Sequence, residues 1–343
     1  MINQLLQNPD FNDSAPGKTL RRQPLGFVDA GARGGVHHVV GRLAGVTSVL
    51  AFEPDQEECL RLTHEIATNS PWANYSLEPI ALAGKTGTAP LYVLKSAVNS
   101  SLRAPNPDFI KRYGLTGFEI SKITPVPTTT LDALCFDPDR PANQQGEFIK
   151  LDTQSTESEI LRGAERTLDE RTVALLVEVE FYEIYKGQPL FSEVELQLRQ
   201  RGFSFYGFDL RTRSAKMLEK RKSAGRERIF YADAIFFKDP LPGGLWKKPM
   251  SNRSWHVLFA CALLLEHYDF ALQLALETWA RNEEAERLRR LVQEEASRLA
   301  VRAFDDAMAL AERVRANPEA ANVEVGKFVD ARRHLADYDD VKA

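Results

Sequence analysis

From about residue 25 to residue 210, short apolar runs alternate with stretches of helical periodicity, and no other feature restricts the fold of this chain as strongly. The runs at 25–30, 49–52, 75–81, 147–151 and 173–179 have the length and apolar character of buried strands. Helical candidates cover 36–43, 56–67, 130–134, 157–168 and 190–200, and Pro54 suits the opening of the second. Such alternation predicts an α/β fold with a mostly parallel sheet covered by helices on both faces. The last two runs, 203–208 and 229–237, have no comparable helix between them. They predict an antiparallel hairpin at the sheet edge.

Three segments depart from this rhythm. Residues 1–24 read as a lead-in with little apolar content. Residues 89–94 read as an extra strand, and 96–124, rich in Ser, Asn, Pro and Gly, as an irregular insertion or lid of the 25–240 domain. Beyond Pro240-Leu241-Pro242-Gly243-Gly244, a C-terminal all-α extension is expected over 250–338. It opens with a helical hairpin, 254–268 and 269–280, in which Phe270, Leu274, Thr278 and Ala271, Ala275, Trp279 repeat at helical spacing. A charged helix over 283–315 follows, with Leu288, Val292, Leu299 and Ala303 on one stripe. That stripe suits packing on the hairpin or on a second subunit, so a homodimer through the C-terminal helices is an expectation.

Bulk properties exclude more than they assign. The 343 residues fit one large domain and an appendage, and a net charge of -4 gives no electrostatic case for nucleic acid. Cys59, Cys135 and Cys261 are too scattered for a metal or disulfide framework, which points to a reducing cytoplasm. Residues 1–10 lack the pattern of a signal peptide. The apolar run 257–265 is far shorter than the ~20 residues of a membrane span.

Chemistry concentrates in Phe27-Val28-Asp29-Ala30-Gly31-Ala32-Arg33-Gly34-Gly35, between the first strand and the first helix. A glycine turn there lets backbone approach a ligand, and a helix start supplies free N–H groups. Dinucleotides and S-adenosylmethionine both bind in this way. A carboxylate at Asp29 would repel a pyrophosphate and favour an ammonium or sulfonium group, and the glycine spacing departs from G-x-G-x-x-G. Arg33 is placed to pair with a methionine carboxylate. Glu53, ending the second strand, suits the hydroxyls of a ribose in either cofactor class. Asp29, Glu53 and Asp152 would stand too far apart around a large cofactor to share a metal ion.

With these pieces in hand, the chain resembles the FkbM family of methyltransferases over about residues 25–238. The resemblance rests on Val28-Asp29-Ala30-Gly31-Ala32, Phe52-Glu53-Pro54, Ala81-Leu82 and Asn99-Ser100-Ser101-Leu102, then Thr130-Leu131-Asp132 and Phe148-Ile149-Lys150-Leu151-Asp152-Thr153-Gln154. It continues with Glu159-Ile160-Leu161-Arg162-Gly163-Ala164, Val177-Glu178-Val179-Glu180 and Tyr185-Lys186-Gly187-Gln188-Pro189-Leu190-Phe191. It implies a Rossmann-like class I methyltransferase fold and S-adenosylmethionine-dependent O-methylation of a hydroxyl on a sugar, glycan or secondary metabolite. It further implies Asp29, Gly31 and Gly35 near the methionine part, Glu53 on the ribose, and Ile80 and Ala81 beside the adenine. Asp152 would lie near the transferred methyl. The chain departs from the family at Arg33, where Asn is usual, and at Ser155, where Gly is usual. A glycine at the second position would permit an unusual backbone angle.

A hydroxyl acceptor needs its proton removed as the methyl arrives. Asp152 is the first candidate, Glu180 is the second as a substrate-orienting group, and Glu178, His37 and His38 are further candidates. A non-catalytic binding protein that assembles through its helical tail is the competing class.

Overall fold

The computed structural model describes residues 2–139, 145–213, 217–219, 222–223, 225–278 and 282–332. Trp279 and Ala280 of the expected hairpin, the side chain of Leu299, and residues 333–338 of the expected extension fall outside the described residues.

The N-terminal segment holds α1 (Pro9–Asp13) and α2 (Ala15–Arg22), opened by the side chains of Asn8 and Ser14. β1 (Leu25–Ala30) and β2 (Thr47–Phe52) follow as expected. Between them the expected α-helix over 36–43 is instead a 3-10 helix, His38–Val46, in which Leu43 leaves helical geometry. Gly41 and Gly45 weaken α-helix here. α3 (Gln56–Thr68) is capped by Asp55. The expected strand at 75–81 is split at Pro79 into β3 (Asn74–Glu78) and β4 (Ala81–Leu82), which belong to different sheets.

β5 (Gly87–Leu94), α4 (Pro107–Tyr113) and β6 (Ile120–Thr129) come next, so the 96–124 stretch contains a helix and the start of a strand and is not irregular throughout. α5 (Leu131–Cys135) and β7 (Phe148–Leu151) follow. The expected helix over 157–168 divides into α6 (Glu157–Arg162) and α7 (Glu165–Glu170). Gly163 stands at the break because a Cβ there would lie 2.5 Å from the Ala83 carbonyl oxygen. β8 (Ala174–Glu180), α8 (Phe191–Gln200), β9 (Ser204–Arg213) and β10 (Arg228–Phe237) complete the α/β part. The C-terminal part contains α9 (Asn252–Leu264), α10 (Tyr268–Thr278), α11 (Glu283–Val301), α12 (Ala303–Ala316) and α13 (Ala321–Arg332). The long helix expected over 283–315 is therefore broken at Arg302.

The described strands form a seven-stranded sheet of order β3-β2-β1-β7-β8-β10-β9 and a three-stranded sheet of order β4-β6-β5. β3, β2, β1, β7 and β8 are parallel, whereas β10 runs antiparallel to β8 and β9, the expected edge hairpin. One face of the large sheet packs Val28, Ile149, Leu175 and Val177 against Ile160, Leu161 and Leu168 of α6 and α7 and Val194 and Leu198 of α8. The other packs Phe27, Val49, Phe148 and Phe237 against residues 257–264 of α9 and Phe270 and Leu274 of α10, with Leu5, Phe11 and Leu20 joining them. Each such fully buried side chain contributes about 1.5–3 kcal/mol of transfer free energy. The N-terminal segment is thus part of the cover of the sheet. Arg253 of α9 pins that cover, pairing with Glu147 beside β7 and donating to the carbonyls of Gln23 and Pro24 before β1.

Candidate functional site

The carboxyl ends of β1, β2 and β7 open into a cleft of about 820 Å3, its mouth included, which Gly31, Arg33, Glu53, Ala81, Asp152 and Gln154 help to line. Residues 97–102, carrying Ser100 and Ser101, close the opposite wall. Open parallel sheets hold ligands at this place, outside the strand ends. Five of the residues singled out in the sequence, Gly31, Arg33, Glu53, Ala81 and Asp152, therefore face one space, and Asp29, Gly35, Ile80 and Glu180 do not line it.

The loop after β1 is shaped by its glycines. Gly31, Gly34 and Gly35 have φ of 80°, 86° and 109°, in the region that L side chains resist. A Cβ on Gly31 would lie 1.8 Å from the carbonyl oxygen of Asp152, whereas one on Gly34 or Gly35 would meet nothing within 4 Å. The first glycine is thus required by the end of β7, and the others by their backbone angles.

Asp29 is fully buried and already partnered. Its Oδ2 accepts from the His37 N–H at 2.7 Å, and its Oδ1 lies 3.1 Å from Lys150 Nζ. Burial pushes its carboxyl up while Lys150 pulls it back. The Asp29 carboxylate, read from sequence as favouring a cationic ligand, thus already faces a buried ammonium. Arg33, which lines the cleft, also has protein partners. Its guanidinium donates to Asp55 Oδ2 at 2.8 Å and lies 3.7 Å from Glu53 Oε1.

Glu53 is buried at the end of β2, and its Oε1 accepts from the Asp55 N–H at 2.8 Å. Its Oε2 has no hydrogen-bond partner among the described residues. Burial raises this carboxyl, against the pull of the Asp55 amide and Arg33.

The turn after β7 is left-handed without glycine. Gln154 has φ of 58° and Ser155 φ of 93°. Side chains hold it in place. Gln154 Nε2 donates to Asp152 Oδ1 at 2.9 Å and to Glu178 Oε2 at 2.7 Å, and its backbone oxygen accepts from Ser101 Oγ at 2.6 Å. The buried Tyr185 hydroxyl lies 2.9 Å from Gln154 Oε1 and 2.7 Å from the Asn99 oxygen. Glu157 Oε1 accepts from the Thr153 N–H at 2.7 Å and from Thr153 Oγ1 at 2.8 Å.

Carboxyl groups crowd this end of the sheet. Burial pushes Glu157 up to about 7 and Asp233 up to about 6, with Asp152 adding to both. Burial, then Asp152 and Glu180, raise Glu178 well above the carboxylate range, and burial, then Glu157, do the same for Glu180. Asp152 is the more open group, with 38% of its side chain exposed. Burial lowers His37 to about 4, so it is a neutral ring at neutral pH. Among the described residues no group of three or more His, Cys, Asp or Glu is arranged to hold a metal ion.

Residues 103–109 of the 96–124 segment are tied to the 182–187 stretch and to α6. Asn106 N–H donates to Ile184 O and Lys186 N–H to Ala104 O, both at 2.9 Å, and Arg103 pairs closely with Glu159. Phe109 packs among Tyr113, Tyr182 and Phe230. In the sequence, Lys150, Gln154 and Tyr185 stand out only as parts of longer motifs. A lysine inside the apolar run 147–151 was the available signal, because a buried charge requires partners.

A profile described as "Methyltransferase FkbM domain" matches residues 29–205, just over half of the chain. Among solved structures, the methyltransferase FkbM from Methylobacillus flagellatus KT aligns at 14% identity and a TM-score of 0.36, covering 62% of this chain and 43% of that one. The matched part thus spans less than half the length of that protein. No curated protein matches the chain. Among the described residues no helix is long and apolar enough to cross a membrane.

Proposed function

The chain belongs to the FkbM methyltransferase family, and from that premise we propose that it transfers a methyl group from S-adenosylmethionine to a hydroxyl of a small molecule, sugar or glycan. The observation that carries this reading is the pairing in one cleft of Glu53, whose Oε2 is uncommitted, with Asp152 and the tight Gly31 turn. The residues present fit the cofactor. Glu53 would accept from the ribose hydroxyls, residues 81–82 would flank the base, and the backbone of Gly31 would border the methionine part.

When bound, S-adenosylmethionine supplies a methyl group made electrophilic by its sulfonium. The protein's own part is to align the acceptor and take its proton. Asp152 receives the proton of the acceptor hydroxyl, with its Oδ1 oriented by the Gln154 amide. Glu180, buried away from the cleft, is not the base in this reading. Cys59, Cys135 and Cys261 form no disulfide with one another, which suits work in the reducing cytoplasm.

Calorimetry with S-adenosylmethionine, S-adenosylhomocysteine and NAD tests the reading. The two sulfur compounds bind, NAD does not, and Glu53→Ala weakens their binding by about 10- to 100-fold, the scale of lost hydrogen bonds to a charged group. A folded protein that binds neither sulfur compound overturns it. The competing reading, a binding protein that assembles through its tail, has one observation in its favour. α12 and α13 bury none of their described residues and leave Val301, Phe304, Met308, Val325 and Val329 exposed around them.

A further inference from the structure

Lys150 stands in β7 between Ile149 and Leu151, and all three are buried. A lysine so placed loses its hydration, and only fixed oxygen atoms compensate. Its Nζ has four within reach: Gly31 O at 3.0 Å, Asp29 Oδ1 at 3.1 Å, Ala30 O at 3.4 Å and Asp152 Oδ2 at 3.7 Å. Three belong to β1 and its loop, and the fourth is the carboxylate that borders the cleft.

The contact with Gly31 has a geometric consequence. A peptide unit is planar, so the carbonyl of Gly31 and the N–H of Ala32 move as one body. Nζ grips one edge of that plane, and on the other edge the Ala32 N–H donates to Phe52 O at 3.0 Å. Gly35 N–H in turn donates to Ala32 O at 2.9 Å. The turn is therefore suspended between an ammonium in β7 and a carbonyl in β2.

We propose that Lys150 is the positioning residue of the site, holding the Gly31 peptide in the plane that shapes the cofactor loop and holding the Asp152 carboxylate toward the acceptor. Asp29 then supports Lys150 and the His37 amide and is not a contact of the cofactor. This deepens the methyltransferase reading and rests on it only for the ligand part of the test.

Two variants and two readouts decide the matter. Lys150→Met leaves the Asp29 carboxylate buried without its cation, so its melting temperature falls. Asp29→Asn combined with Lys150→Met removes both charges and recovers most of that loss. Amide hydrogen exchange at Ala32 and Gly35, measured without ligand, stays at least about 10-fold faster than wild type in both variants. S-adenosylhomocysteine affinity stays at least about 10-fold weaker, the scale of one charge-assisted hydrogen bond. Recovery of exchange protection in the double variant, together with melting temperature, overturns the proposal, because Lys150 would then only balance a charge. Unchanged exchange in Lys150→Met overturns it as well. A wild-type protein that binds no S-adenosylhomocysteine defeats the cofactor reading, and the exchange measurement still decides the role of Lys150.

Discussion

Two left-handed turns lie side by side at the cleft, after the paired strands β1 and β7, and they are built by opposite means. The turn after β1 uses Gly31, Gly34 and Gly35, for which positive φ carries no steric penalty. The turn after β7 puts Gln154 and Ser155 in the same region, where each costs of order 1–3 kcal/mol unless its surroundings compensate. Tyr185, Ser101, Glu157 and the strand-end carboxylates supply that compensation. The difference teaches what each turn is for. The first needs only a backbone shape, whereas the second needs the Gln154 side chain, since glycine there could not bridge Asp152 to Glu178.

The comparison breaks most visibly at Gly31. A methyl group 1.8 Å from the Asp152 oxygen forces the two turns apart, so Gly31→Ala is expected to cost about 4 kcal/mol and to abolish cofactor binding. A denaturant midpoint and a calorimetric titration check both.

The next effect concerns protons. Burial pushes Glu157 up to about 7, so the folded chain keeps a proton there that the unfolded chain releases near 4.5. The contribution of this group to stability is therefore complete below about pH 4.5 and falls as pH rises to 7. Glu157→Gln keeps an acceptor for Thr153 and removes that loss. Its unfolding free energy should drop less than that of wild type between pH 5 and pH 8, by an amount on the order of 3 kcal/mol.

Tyr185→Phe takes the hydroxyl away from two half-buried acceptors, Gln154 Oε1 and Asn99 O, at a cost of about 1–2 kcal/mol. If the Gln154 turn orients Asp152, turnover falls in this variant while S-adenosylmethionine affinity holds. A loss confined to stability would show that the turn is scaffolding.

The smallest effects are the most direct. Ser155→Gly relieves a left-handed serine and should raise stability by about 1 kcal/mol. Gly34→Ala, with open space around the new Cβ, should lower it by a similar amount. Equal melting temperatures for the two variants would mean that the turns do not differ in strain.

The elements that sequence revealed best are those with local causes. β1, β2, β7 and β8 are short apolar runs ended by glycine, acid or polar residues, and the structure places them within a residue or two of expectation. Ser155 was legible for a related reason, as a non-glycine where the resemblance implies glycine, and its φ shows why that position matters. What escaped depends on partners far along the chain. Asp29 is read as a free carboxylate because nothing near it in sequence announces Lys150, more than a hundred residues on. Arg33 is read as a partner for a methionine carboxylate because nothing in the sequence marks Asp55 as the group it meets. Leu5, Phe11 and Leu20 are too sparse to signal a core until the residues of α9 stand over them. Within the cleft, residue types and strand ends were visible, while hydrogen-bond commitments required the fold.

The cover laid by α9 has a consequence for synthesis. Everything that shapes the cleft, from Gly31 to Tyr185, leaves the ribosome before residues 257–264 exist. During that interval Phe27 and Phe148 lack the helix that shields them, and the nascent chain carries the turns of the cleft on a sheet with one bare side. Such an intermediate is prone to aggregate. A translational stop ahead of Arg253 would release a polypeptide with every residue of the cleft and no stable platform beneath them, so for this chain late translation governs whether early-made chemistry survives.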